Sequence, residues 1–284
     1  MAEKLVLFIK TYNGDESTCR NLVSSIEKYN KDNLPVYISV PESDMTLFSD
    51  LSKYNIRVIT DESYAGKYLT NDKVNGLSAG YINQEICKLS FWESGIANNY
   101  LCLDSDAEFL RDFYFSDFMA DENTPYTILV QDKDLYIEKW YPHGYAKHRR
   151  QMHQKIFDTV GLNDPRLRSC HGLTVLNATV LKSMKNDFMV SHGYEYLDLL
   201  NISPFEFTWY NAWFQKSKII PEMAVEPFFK TIHTKSQYKL MKILVPNVAN
   251  FARSYVGIVM NSNWGGGKYK SNRWHKLLFK LFIK

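Results

Sequence analysis

Tyr100-Leu101-Cys102-Leu103-Asp104-Ser105-Asp106-Ala107-Glu108-Phe109 decides how this chain is read: an apolar run ends in two carboxylates one small residue apart. Side chains alternate along an extended chain, so Asp104 and Asp106 point the same way and Ser105 leaves room between them. Two converging carboxylates repel each other unless a cation joins them. Oxygen ligands with open positions suit Mg²⁺ or Mn²⁺ bridging to a diphosphate. A plain acidic turn after a strand has the same spelling, so the surrounding sequence must decide.

Upstream, apolar runs alternate with segments of helical spacing. Residues 5–10 read as a buried strand, 11–15 as a turn, and Ser17 as the cap of a helix running to Tyr29. Residues 35–40 and 56–60 read as the second and third strands, with a helix over 44–54 between them. Residues 78–97 read as a long helix and 100–103 as the fourth strand. Strands separated by helices build a parallel sheet covered on both faces, and ligands bind at the carboxyl ends of its strands. The turn at 11–15, Asp61-Glu62 and the Asp104–Asp106 turn all follow strands and are expected at one cleft.

Beyond residue 110 the pattern loosens to a strand at 126–130, a helix at 145–160 with a basic start, and a short strand at 173–176. A helix at 203–215 has Pro204 in its first turn, and a strand is expected at 223–229. No repeat interrupts this series. Gly265-Gly266-Gly267 is a hinge, giving one domain over 1–264 and a tail over 265–284.

Of the 284 residues, 45% are hydrophobic and 23% charged, which excludes a disordered chain. Cys19, Cys87, Cys102 and Cys170 lie far apart, with neither zinc spacing nor a disulfide framework, as suits a reducing compartment. Only six residues separate Lys4 from Thr11, too few for a signal-peptide core, and no uncharged apolar stretch has the length of a membrane span. The expectation is a cytoplasmic protein. Its charge is uneven: residues 227–284 hold 11 Lys and Arg and no acid, against 23 basic and 31 acidic groups before them. A purely basic end suggests an anionic partner.

Phe8-Ile9-Lys10-Thr11-Tyr12, Gln84-Glu85-Ile86-Cys87-Lys88-Leu89 and Leu101-Cys102-Leu103-Asp104-Ser105-Asp106 together resemble the GT-A class of nucleotide-sugar glycosyltransferases, with its DxD motif after a strand. Within that class, the set is similar to a bacterial group associated with surface-polysaccharide and lipopolysaccharide synthesis. The resemblance spans residues 4–235. It implies a GT-A-like, Rossmann-like α/β fold and a nucleotide-sugar donor, UDP-sugar favoured. It also implies Mn²⁺ or Mg²⁺ and a glycan or lipid-linked acceptor. Carried onto this chain, Thr11, Tyr12 and Asp104 contact the nucleoside, and Asp106 binds the metal with Asp104 beside it. The class often adds a late histidine as metal ligand, and His233 is the best-placed one. His171 faces the acceptor or packs.

Inverting members place a carboxylate at a helix start, where it takes the acceptor's proton. Glu206, in Ile202-Ser203-Pro204-Phe205-Glu206, is assigned that role, with Ser203 as N-cap and Glu206 third in the helix. A capping box would use the same residues structurally. Phe205, Trp209 and Tyr210 stack on a sugar or fill the core, and Tyr210 is assigned to the acceptor. Lys88 stands one turn after Gln84 on the same helix face, for donor phosphates or sugar. Asp61 is assigned to the base or ribose, and the basic run at 147–150 to a phosphorylated acceptor or to solvent.

In the tail, Trp274, Leu277, Leu278, Leu281 and Phe282 share one helical face, and Arg273, Lys276, Lys280 and Lys284 supply the polar side. A cation-rimmed stripe with Trp and Phe suits an anionic membrane surface better than nucleic acid. The expected protein is a peripheral enzyme on the inner face of the plasma membrane. The alternatives are another metal-dependent phosphoryl enzyme, such as a nucleotidyltransferase, and a non-catalytic nucleotide-sugar binder. Against the former, Asp104 lies on the fourth strand rather than the first, and the turn at 11–15 has one glycine.

Overall fold

The structure is a computed structural model that describes residues 2–131, 144–164, 166–169, 172–244 and 247–260. The first half holds β1 (Val6–Lys10), α1 (Glu16–Tyr29), β2 (Val36–Val40), α2 (Met45–Phe48), β3 (Ile56–Thr60), α3 (Glu62–Ala65), α4 (Ala79–Ser90), β4 (Asn99–Asp104) and β5 (Ala107–Phe109). Then come β6 (Thr127–Ile128), α5 (Tyr145–Val160), β7 (Val175–Asn177) and α6 (Ala178–Ser183), whose axis continues through a π-helical turn, Met184–Met189, into α7 (Val190–His192). The last elements are α8 (Tyr196–Ile202), α9 (Glu206–Ser217), β8 (Ala224–Val225), β9 (Phe229–Ile232), α10 (Lys235–Leu244) and β10 (Gly257–Met260).

Five strands form the main sheet in the order β3-β2-β1-β4-β7. The first four run parallel, as their separation by helices requires, and β7 closes the edge antiparallel to β4. The chain builds outward from β1 to β3, then crosses back to place β4 on the other side of β1. Right-handed crossovers in opposite directions put the connecting helices on opposite faces. The switch point between β1 and β4 is where such a sheet opens a crevice at its carboxyl edge. A second sheet, β5-β10-β9, joins residues just past the Asp104–Asp106 turn to the end of the described chain.

Ser78 caps α4, its side chain accepting from the amide of Tyr81. The core around β1 and β4 is apolar and aromatic: Phe8 stacks on Phe91 at 4.2 Å, and Tyr100 meets both edge-on. Several expectations change. Helix α1 starts at Glu16, not at a Ser17 cap. The helix expected over 44–54 is one turn of α-helix flanked by 3-10 turns, and α4 ends at Ser90 before a further 3-10 turn. The strand expected at 223–229 is split into β8 and β9. Ser203 ends α8 as its C-cap, and its carbonyl accepts from the Trp209 indole at 2.8 Å. Helix α9 therefore begins at Glu206 with Phe205 as its cap residue, and the Ser203–Glu206 capping box does not form. His171, Cys170, the glycine hinge and the tail lie outside the described residues.

Candidate active site

The register of the sheet brings the sequence's acidic turns together. Lys10, the last residue of β1, pairs with Asp104 on β4 and with Ser39 on β2. Asp61 follows β3 directly. Polar side chains thus lie at or near the carboxyl ends of four adjacent parallel strands.

On the β2–β3 side, the Lys10 ammonium lies 2.9 Å from Asp61 and donates to the Thr11 carbonyl at 2.6 Å. Ser39 donates to the other oxygen of Asp61 at 2.6 Å and contacts the Tyr64 hydroxyl at 2.8 Å. Burial pushes the Asp61 carboxyl up, against the Lys10 charge and the Ser39 hydrogen bond. Asp61 is buried and turned onto Lys10. Thr11 is buried too, whereas Tyr12 stands open and lays its ring over Gly14. A Cβ at Gly14 would fall 2.5 Å from that ring.

The loop after β1 is tied to the acidic turn itself. Ser105 donates to Asp15 at 3.2 Å. Burial and the Asp104 charge push the Asp15 carboxyl up, against the Ser105 hydrogen bond and the Lys10 charge. Asp104 is the last residue of β4 and Asp106 lies in the turn before β5; both are half-buried, with the buried Ser105 between them.

Lys88 on α4 occupies the centre of the opposite wall. Its ammonium lies 2.9 Å from Glu206, 3.0 Å from Asp104 and 3.3 Å from Glu85, and 5.0 Å over the Phe207 ring. Burial opposes the charge, but the Asp104, Glu206 and Glu85 carboxylates outweigh it and hold Lys88 well above the usual lysine range. Burial also works against charge on Glu206, yet the Lys88 ammonium beside it keeps that carboxyl low. Glu206 is 6% exposed. A base must reach the acceptor hydroxyl, and here Glu206 faces Lys88 instead. Gln84, one turn before Lys88, is half-buried. Tyr210, assigned to the acceptor from sequence, is fully buried, and its hydroxyl accepts from the amide of Asn177 at 3.1 Å.

His233 follows β9. Met260, the partner of Ile232 at the end of β9, donates its amide to the Asp106 carbonyl at 3.2 Å, so Asp106 and His233 lie at the same end of the small sheet. Burial, then repulsion by Arg149 and Lys230, pushes His233 down to about 3. A neutral imidazole and half-exposed carboxylates have the donor chemistry for Mn²⁺. Among the described residues, no group of three His, Cys, Asp or Glu side chains stands ready to hold an ion.

The third wall is α5. Arg149 is buried, donates to the Tyr145 hydroxyl at 3.2 Å and lies 4.3 Å over the Phe205 ring. Beside it His153 is fully buried, and burial with the Arg149 charge pushes it down to about 2. A histidine held neutral in the fold contributes stability above its unfolded value of about 6.5 that is lost as pH falls toward its folded value. His153 alone is expected to cost about 2 kcal/mol at pH 5. Thermal melts of His153→Phe should fall less than wild type between pH 7 and pH 5; equal falls would refute this contribution.

Sequence reading missed Lys10, Asp15 and Glu85. Lys10 was visible as a cation ending an apolar strand, and Glu85 as an acid between Ile82 and Ile86, one turn before Lys88.

The mostly parallel five-stranded sheet, covered by helices, is a GT-A-like fold shared with solved glycosyltransferases. The WbbM bifunctional glycosyltransferase has a TM-score of 0.52 at 13% identity, over 96% of this chain and 47% of that one. An active-site mutant of LgtC has a TM-score of 0.50 at 11% identity, over 90% of this chain and 87% of that one. These likenesses are of fold. The chain belongs to DUF6492, a family of unknown function, which it matches over residues 4–244. No curated protein matches it by sequence. Among the described residues, no helix is long and apolar enough to cross a membrane.

Proposed function

We propose that this protein is a glycosyltransferase that binds a nucleotide-sugar donor, a UDP-sugar by preference, in the cleft between the ends of β1 and β4. One observation carries the reading: Asp104-Ser105-Asp106 stands at the switch point of a sheet shared with glycosyltransferases, linked through Ser105 to the loop after β1. Tyr12, open at that loop, offers a face for the base. Asp106, with Asp104 and His233, would hold Mn²⁺ or Mg²⁺, which would neutralise the donor diphosphate. Asp61 acts one step back, by holding Lys10. Lys88 holds Asp104 in place, and Glu206 holds Lys88, so we assign Glu206 to positioning. The inverting course expected from Glu206 as base loses that support.

The acceptor is a glycan or lipid-linked saccharide of the bacterial surface, reached at the membrane through the basic tail. Deleting residues 268–284 is expected to abolish sedimentation with anionic vesicles while donor binding persists; undiminished sedimentation would refute the tail's role. The burial of Glu206 also favours a second reading, a nucleotide-sugar binder without transfer. Calorimetric titration with UDP-, GDP-, CMP- and dTDP-sugars, with and without Mn²⁺, tests the proposal. Metal-dependent binding of one nucleotide class supports it, and no binding of any refutes it. Release of free nucleotide on adding acceptor separates the enzyme from the binder.

A further inference from the structure

Two loops meet at the carboxyl edge of the main sheet, and a carboxylate from the second holds the first. Asp44 ends the 3-10 turn Glu42–Asp44 that follows β2, directly before α2. It is only 7% exposed, and both its oxygens are turned onto the loop after β1. The backbone amide of Asn13 donates to one oxygen at 2.8 Å, and the Asn13 side-chain amide donates to the other at 3.0 Å. The two residues are 31 apart in sequence, so this is a tertiary clamp and not a local turn.

We propose that Asp44 is a positioning residue that fixes the Tyr12 ring as a platform for the nucleobase. Asn13 directly follows Tyr12, so the clamp acts on the peptide that carries the ring. Tyr12 itself is extended, at φ −154° and ψ 176°, and its carbonyl accepts the Asp15 amide at 3.0 Å. On its other side, the Thr11 amide donates to the Ser39 carbonyl on β2 at 3.0 Å. The backbone is thus held at residues 11, 13 and 15, and Ser105 holds the Asp15 side chain again from the acidic turn.

Gly14 supplies the room the ring needs, since a Cβ there would fall 2.5 Å from it. Despite these contacts, Tyr12 remains 47% exposed. An aromatic side chain held open in one place can stack a base without first being ordered, and ordering is a large part of the cost of binding. Asp44 lies buried behind this loop and acts through Asn13. Its part in binding rests on the donor site proposed above, whereas the clamp does not.

Amide exchange in the nucleotide-free full chain tests the clamp by itself. The Asn13 amide should exchange faster in Asp44→Ala than in wild type. Equal rates would overturn the proposal whether or not the protein is a glycosyltransferase. The positioning role is read by titrating UDP and inorganic pyrophosphate, each with Mn²⁺. Asp44→Ala should bind UDP about 10-fold more weakly or worse, the scale of lost hydrogen bonds to a charged group. It should bind pyrophosphate as wild type does, because only the base meets Tyr12. Asp44→Asn keeps an acceptor for the Asn13 amide and should recover most of the UDP affinity. Gly14→Ala leaves Asp44 untouched but displaces the ring, and should show the same split between the two ligands. Equal losses of UDP and pyrophosphate in Asp44→Ala would make Asp44 a support of the fold alone. Full UDP affinity in Asp44→Ala or in Gly14→Ala would remove the platform. Either result overturns the proposal.

Discussion

Replacing Lys88 by methionine is expected to destabilise the protein by about 3–5 kcal/mol, the scale for removing one partner of a buried ion pair. The side chains are similar in length, so the loss is electrostatic. It leaves Glu206 and Asp104 facing each other across a site from which water is largely excluded. For a domain of this size the change corresponds to a melting temperature lower by roughly 10 °C. Because the missing charge is the cause, adding Glu206→Gln to Lys88→Met should recover part of the loss. A single variant that melts within about 2 °C of wild type would show that the cluster is open to solvent.

Asp106→Ala should have the largest effect on ligands and a small one on the fold. Asp106 is half-buried, and its backbone carbonyl, not its side chain, accepts the amide of Met260. Removing the carboxylate leaves that β10 contact in place. Metal-dependent binding of a nucleotide sugar should fall below detection by calorimetry, with the melting temperature nearly unchanged. Wild-type Mn²⁺ dependence in this variant would remove Asp106 from the metal.

The parallel half of the fold was legible because each of its signals is local. Residues 5–10, 35–40 and 56–60 are short apolar runs set off by turn residues, and each became a strand of the main sheet. The helices read over 78–97 and 145–160 were legible from spacing, and in the structure Ser78 caps the first of them. The placement of Asp104 and Asp106 at a carboxyl edge followed from the same reading.

The rest depended on contacts between distant parts of the chain. A three-residue strand such as β7 carries no information about its direction, and pairing with β4 made it antiparallel. The sheet β5-β10-β9 joins residues 107–109 to 257–260, and nothing near either segment announces the other. It is this pairing that brings His233 to the end of the sheet where Asp106 sits. Glu206 shows how a local motif misleads. Ser203-Pro204-Phe205-Glu206 has the spelling of a helix start, yet Ser203 finishes the preceding helix. Glu206 then faces Lys88, 118 residues away in sequence. Tyr210, read as stacking on a sugar or filling the core, is buried, and its hydroxyl accepts from the amide of Asn177 at the sheet edge.

The central claim is that the β1/β4 switch point holds the donor diphosphate. A crystal structure of the full chain with UDP and Mn²⁺ tests it most directly. The ion is expected on Asp106 and the uracil near Tyr12. A nucleotide bound away from the Asp104–Asp106 turn would contradict it.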